Sequence, residues 1–328
     1  MIIDTKNLFN ISSFDINVFW RIMLLLSVFI ISLILGNLYV GGDNNGYRAI
    51  YNGLKGLDIV NAYYFYNYII TTVEFVHFIL IWTVSNIGID RVFFLSLCNT
   101  FLAGLFIKIF DSFKVNFLVT SSFIITNFYL YVLFFTGERL KFGFIFFLLA
   151  FFYRKKLPLS LLFLILSIFS HLQMLILCLG RALQLLLNEL QPLLFKLEFR
   201  KSLLLALPAL GIGFFIIQTT LFGKILAYGD DRTLFDFLRM GIFFLIALYY
   251  TKDRMETVIY FSTLFMAVYL VGGDRVNMIG YMFCLYYCLP YRGGFNLGML
   301  ITSLYFLYAN IDFISKIILY GNGFPPIK

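Results

Sequence analysis

Of 328 residues, 61% are hydrophobic and 13% charged, where a soluble protein carries roughly a quarter charged residues. The chain therefore reads as an integral membrane protein. Its net charge of +8 comes from Lys and Arg standing singly or in small clusters beside apolar runs, as orientation signals do, and nucleic acid is not an expected partner.

Cys98, Cys178, Cys284 and Cys288 all lie inside apolar segments, where a free thiol behaves as a small hydrophobe. They point to neither a disulfide framework nor zinc. With His77 and His171 as the only histidines, a multi-histidine metal centre is excluded, and no glycine-rich nucleotide-binding motif occurs.

At about 20 apolar residues per span, the length allows roughly nine to eleven crossings within a single polytopic membrane domain covering 1–328. Long apolar runs without ten-residue alternation make the spans α-helical. They are expected near 18–40, 93–110, 117–135, 139–153, 159–170, 172–189, 203–222, 237–250, 257–271, 276–290 and 295–311. The first exceeds a signal-peptide core and lacks a small-residue cleavage site, so it reads as an uncleaved span.

The clusters Arg154-Lys155-Lys156, Lys196 with Arg200 and Lys201, and Lys252 with Arg254 should face the cytoplasm under the positive-inside rule. Outer loops then fall near 41–61, 136–139, 223–236 and 272–275. Parity requires a helix break at Ser170-His171; otherwise the chain returns to Lys196 through a segment carrying Asn188, Glu189, Gln191 and Pro192, which lipid opposes. Tyr63 to Asn86 reads as a re-entrant or outer-surface helix, because Asn67, Glu74 and His77 interrupt its apolar character.

Charges beside apolar segments are the candidates for chemistry. Asp43, Tyr47 and Tyr51 are spaced by four, so a helix presents a carboxylate above two rings, a face suited to a sugar; an interfacial aromatic belt with a turn acid is the alternative. Glu74 and His77 have the spacing of one half of a di-iron site, but no second copy accompanies them, which favours a polar pair facing other helices.

Glu138 and Arg139 open an apolar helix, where an arginine fork can hold a diphosphate or snorkel to the interface. His171 can exchange a proton near neutral pH or link helices by hydrogen bonds. Gly272-Gly273-Asp274-Arg275 is a tight outer turn with an acid and a guanidinium, either approachable by a ligand or closed by its own ion pair. Asp230-Asp231-Arg232 reads as a solvated charge cluster.

The order Gly-x-Asp-x-x-x-Tyr-x-x-x-Tyr after the first span, a glutamate opening the next helix, an arginine at an outer helix start, Arg-Lys-Lys, an apolar helix ending in His171 and a late outer arginine resembles the EpsG-like branch of Wzy-type polysaccharide polymerases. Asp43, Tyr47, Tyr51, Glu74, Arg139 and His171 match positions of that sparse pattern, which covers most of the chain.

The resemblance implies an all-α, GT-C-like membrane glycosyltransferase of the bacterial inner membrane, a polymerase of O-antigen, capsule or exopolysaccharide. It transfers a growing glycan from undecaprenyl diphosphate to a lipid-linked repeat unit at the outer face, with no cofactor and no metal. Lipid-linked repeat units and the bilayer are its partners, with a chain-length regulator and a flippase beside it. His171 and Glu74 are the base candidates, with Asp43 second choice; Arg139 and Arg275 hold the diphosphate, and Tyr47, Tyr51 and Asp274 the sugar. A polyprenyl-phosphate-sugar-dependent transferase, with Asp43 as catalyst, and a flippase of lipid-linked oligosaccharide are the alternatives.

Overall fold

The computed structural model describes residues 13–70, 74–177, 179, 180, 183 and 233–324. These residues form helices α1 (Ser13–Leu38), α2 (Asp43–Gly53), α3 (Ile59–Ile70), α4 (Phe75–Ile87), α5 (Arg91–Ser112), α6 (Phe117–Thr126), α7 (Phe128–Phe135), α8 (Glu138–Phe152), α9 (Leu157–Ser170), α10 (Leu234–Tyr250), α11 (Arg254–Val271), α12 (Gly273–Cys288) and α13 (Leu297–Tyr320). No strand occurs among the described residues. The expected span at 203–222 and the loop at 223–236 up to residue 232 lie outside the described residues, as does half of the span at 172–189.

Side-chain and backbone contacts sort the helix ends into two groups. At one end Arg21 pairs with Asp111 at 2.8 Å, Asn116 N–H donates to Gly293 C=O at 2.8 Å, and the rings of Phe113 and Phe151 both meet Tyr286. Tyr250 and Tyr291 stack there as well. At the other end Val40 and Gly41 N–H both donate to Gly321 C=O, Tyr51 donates to Ile89 C=O, and His171 meets Glu74.

The helices therefore run antiparallel from end to end, with α6 and α7 together making one stroke. Arg154 to Lys156 and Lys252 to Arg254 share the first end, whereas Asp43, Arg139 and Gly273 share the second. Basic side chains stand at both ends, Arg48, Lys55 and Arg91 at the second among them.

Three helices, Asn17–Leu38, Arg91–Ser112 and Tyr291–Tyr320, are long and apolar enough to cross a membrane; two bent pairs raise the number to five among the described residues. Nine to eleven were expected over the whole chain; the run at 203–222 and half of that at 172–189 lie outside the described residues, and other runs form helices shorter than a span. Helix α8 has 15 residues and α9 has 14, about 22 Å each at 1.5 Å per residue, shorter than a ~30 Å hydrocarbon layer.

The run at 117–135 is bent by 52° at Asn127. The Asn127 side chain accepts the Leu130 N–H at 3.0 Å, and Asn310 of α13 donates to Ile125 C=O at 3.2 Å, so backbone groups at the bend find partners.

Helices α3 and α4 bend by 118° relative to each other and form a hairpin. Its base is tied at the second end: Trp82 Nε1–H donates to Leu57 C=O at 3.0 Å, Gly56 N–H donates to the Asn86 side chain at 2.9 Å, and Ser85 donates to Tyr51 C=O at 2.6 Å. Asp58 caps α3 by accepting from Val60 and Asn61 N–H, each at 3.1 Å. The segments on either side of the bend are thus tied together at the second end, as a broken span or a re-entrant loop, and Glu74 at the start of α4 reaches into the helix bundle.

Candidate functional site

Glu74 precedes the first residue of α4, and its side chain is fully buried. One carboxylate oxygen receives the Arg139 guanidinium at 2.5 Å; the other faces His171 Nδ1 in a direct hydrogen bond. Arg139 Nε–H also donates to the Tyr47 hydroxyl at 2.8 Å. Four residues separated by up to 124 positions in the chain, Tyr47 on α2, Glu74 at α4, Arg139 on α8 and His171 after α9, thus converge on one buried centre.

Local structure explains how His171 arrives. Helix α9 stops at Ser170, His171 takes an extended conformation at φ −159°, ψ 118°, and a 3-10 turn follows over Leu172–Met174. Helix α9 lies close on α8 because Gly143 offers no side chain: a Cβ there would stand 2.7 Å from Met174 Cγ and 3.5 Å from His171 Cβ. Ser167 closes the same contact by donating to Gly143 C=O at 2.8 Å.

A carboxylate at Nδ1 assigns the proton of neutral His171 to that nitrogen, leaving the Nε2 lone pair free to accept. Nε2 faces the side-chain amide of Gln173 at 2.9 Å, which satisfies the lone pair when its NH₂ group is turned toward the ring.

A second cluster, which sequence reasoning did not assemble, lies alongside. Glu138 is buried, receives Arg91 in a direct ion pair and accepts from His77 Nε2 at 3.3 Å. Nδ1 of His77 meets the Tyr66 hydroxyl at 2.8 Å. Lys141, three residues after Glu138 and 1% exposed, donates to Phe134 C=O at 2.9 Å.

The two clusters are crossed: Glu74 of the hairpin holds Arg139 of α8, while Glu138 of α8 holds His77 of the hairpin. Tyr47 lies between them, its hydroxyl on Arg139 and its ring 5.9 Å from that of His77. The adjacency of Glu138 and Arg139, set against Glu74 and His77 three apart, was the signal available in the sequence.

The remaining candidates sit at the rim. Asp43 is 64% exposed and faces Arg275 at 3.7 Å, and Arg275 lies near enough for its charge to act on Tyr47 and His171. Asp43 is thus on the same end but not in the buried centre. Tyr51 turns its hydroxyl to Ile89 C=O and supports the hairpin base rather than the centre.

The turn expected over 272–275 is shorter in the structure: only Gly272 (φ 94°) breaks the helix, α12 already begins at Gly273, and Gly273 is needed for packing because a Cβ would strike Asp236. The Asp274 side chain, Asp230, Asp231 and Arg232 lie outside the described residues. Among the described residues no group of three His, Cys, Asp or Glu side chains converges at metal-binding range.

Comparison of the chain with models of protein families, with curated proteins and with solved structures found no match.

Proposed function

We propose that the protein is a glycosyltransferase of the bacterial inner membrane, GT-C-like in architecture, that polymerises lipid-linked repeat units at the outer face. The observation that carries this reading is the convergence of Tyr47, Glu74, Arg139 and His171, all four named from the sequence pattern, on a single centre at one end of the helix bundle. The reading assigns distinct roles within it.

Glu74 fixes the tautomer and orientation of His171 and stabilises the imidazolium, the part a carboxylate plays beside a histidine base. Gln173 turns aside to admit the acceptor sugar. The acceptor hydroxyl gives its proton to His171 Nε2 while its oxygen bonds to the anomeric carbon of the donor. The bond from that carbon to the diphosphate oxygen breaks, and the electron pair leaves on undecaprenyl diphosphate. Arg139 and Arg275 offset the charge that develops there. Glu74 acts as orienter rather than base in this scheme, because both of its oxygens are engaged by cationic or N–H partners.

The test is genetic and biochemical. Cells lacking the gene should carry surface polysaccharide of one repeat unit on its lipid anchor, and purified protein should extend lipid-linked repeat units in excess chelator. Normal chain length without the gene, or complete metal-reversible inhibition, would overturn the reading.

A further inference from the structure

A cavity of about 650 Å³ opens beside the centre described above, at the base of the hairpin, and Arg48, Lys55 and Arg91 all line it. Arg91 is 7% exposed, and its Nε–H has no hydrogen-bond partner among the described residues; Arg48 Nε–H is likewise buried and unmatched. Each guanidinium is held in place by its other nitrogens, Arg91 on Glu138 and Arg48 on the carbonyls of Gly36 at 3.3 Å and Tyr39 at 3.1 Å. Lys55 is exposed at the cavity edge.

Among the described residues Asp90 is the only carboxylate lining the cavity, and one of its oxygens caps α5 by accepting Phe93 N–H at 2.8 Å. The first turn of α5, a helix of 22 residues, contributes its positive end as well. Tyr51 and Asn52 also line the wall, the Tyr51 hydroxyl already donating to Ile89 C=O.

We propose that this cavity is a diphosphate site separate from the Glu74–His171 centre, and that it takes the headgroup of a lipid-linked diphosphate. A single phosphate would leave most of the volume empty, whereas a diphosphate with its first sugar matches the size of ordinary ligand cavities. Three cations spread over α2, the following loop and α5 match a charge distributed over two phosphates.

The depth of the cavity selects a lipid. It lies at the last turn of α1 and the first turn of α5, two of the helices long enough to cross a membrane, and therefore at headgroup level. Ile34 and Leu38 on α1 and Phe93 and Leu97 on α5 are exposed next to it, an apolar surface for a prenyl chain. Arg91 is shared, one nitrogen on Glu138 beside Arg139 and the cavity on its other side, so a headgroup bound here is a neighbour of the centre. That this occupant is the second lipid-linked substrate rests on the polymerase reading; the binding itself does not.

Binding of radiolabelled farnesyl diphosphate and of inorganic pyrophosphate to the full chain in nanodiscs tests the site. Lys55→Glu changes an exposed side chain and should weaken farnesyl diphosphate severalfold without lowering the melting temperature; Lys55→Glu with Arg48→Gln should weaken it by about tenfold or more, the scale of lost charge-assisted hydrogen bonds. Arg139→Gln, which removes a diphosphate contact of the Glu74–His171 centre, should leave the Lys55-sensitive part of farnesyl diphosphate binding in place.

Unchanged affinity in both Lys55 variants, or complete loss in Arg139→Gln alone, would overturn the site. Equal affinity for pyrophosphate and farnesyl diphosphate would overturn the lipid assignment. Absence of polymer synthesis with these binding results intact would count against the polymerase reading and leave the site standing.

Discussion

The two buried clusters each hold a glutamate, a histidine, an arginine and a tyrosine, the second adding Lys141, yet their histidines are held differently. His77 is closed on both sides by buried partners from other helices, Tyr66 on one nitrogen and Glu138 on the other. His171 has one nitrogen on buried Glu74 and the other on Gln173, a half-buried side chain two residues away on an irregular turn. A ring locked by two remote elements can only hold them together, whereas a ring whose second partner can rotate away can meet a substrate. The difference between the two histidines lies in the second partner: a buried side chain of another helix for His77, a half-buried neighbour two residues along the chain for His171.

The largest expected effect breaks the comparison at its functional side. His171→Ala and His171→Gln should each reduce turnover by roughly 10²- to 10⁴-fold with the protein still folded, because an amide keeps hydrogen bonds but cannot take the proton. His77→Gln should retain turnover within about tenfold and lower the melting temperature instead, as expected for helix-linking polar contacts. Near-normal polymer from His171→Gln would remove the base role.

Next in size, Glu138→Ala leaves Arg91 and Lys141 without their buried counter-charge, a loss of roughly 3–5 kcal/mol by analogy with broken buried ion pairs. It should appear as poor expression or a collapsed melting transition, and a well-folded variant would show that water reaches these cations. Arg139→Lys should lose most activity while remaining folded, since a point charge cannot serve Tyr47 and Glu74 together as the guanidinium does through Nε and a terminal nitrogen.

Gly143→Ala should push the His171 turn off α8 and cost about 1–3 kcal/mol of overpacking, read as a lower melting temperature with reduced turnover. The smallest effect belongs to Asp58→Ala at the hairpin base. Hydrogen bonds from Asn61, and then from Val60 N–H, hold this exposed carboxylate below its ordinary range. Its capping contribution is therefore present above the usual aspartate value and fades only as pH falls through the lowered one. A large change of melting temperature at neutral pH would contradict so local a role.

Much of this arrangement was legible in the residues. The helix starts at Asp43 and Glu138, the break at His171 and the interruption around Glu74 follow from polar punctuation in apolar runs, whereas the helix Leu234–Tyr250 begins inside the loop expected at 223–236. Periodicity could not tell which apolar runs would be long straight helices, because the bends at Asn127 and at the hairpin depend on partners such as Asn310, 183 residues beyond the first. Nor could it pair the charges. Arg91 appears in the sequence as an ordinary basic residue at a helix start, and Lys141 as an interfacial one; their burial depends on Glu138 facing inward, which is a property of the packed bundle.

The crossed pairing of the hairpin with α8 also sets an order of assembly. Residues 59–87 leave the ribosome before 138–152, so Glu74 and His77 exist for a time without Arg139 and Glu138. Sinking an unmatched carboxylate into hydrocarbon costs several kcal/mol, and the helices of 12 and 13 residues are too short to span on their own. The hairpin is therefore expected to stay at the aqueous surface until α8 delivers its partners, a late insertion of a segment synthesised early, and the centre is complete only once His171 follows at the end of α9.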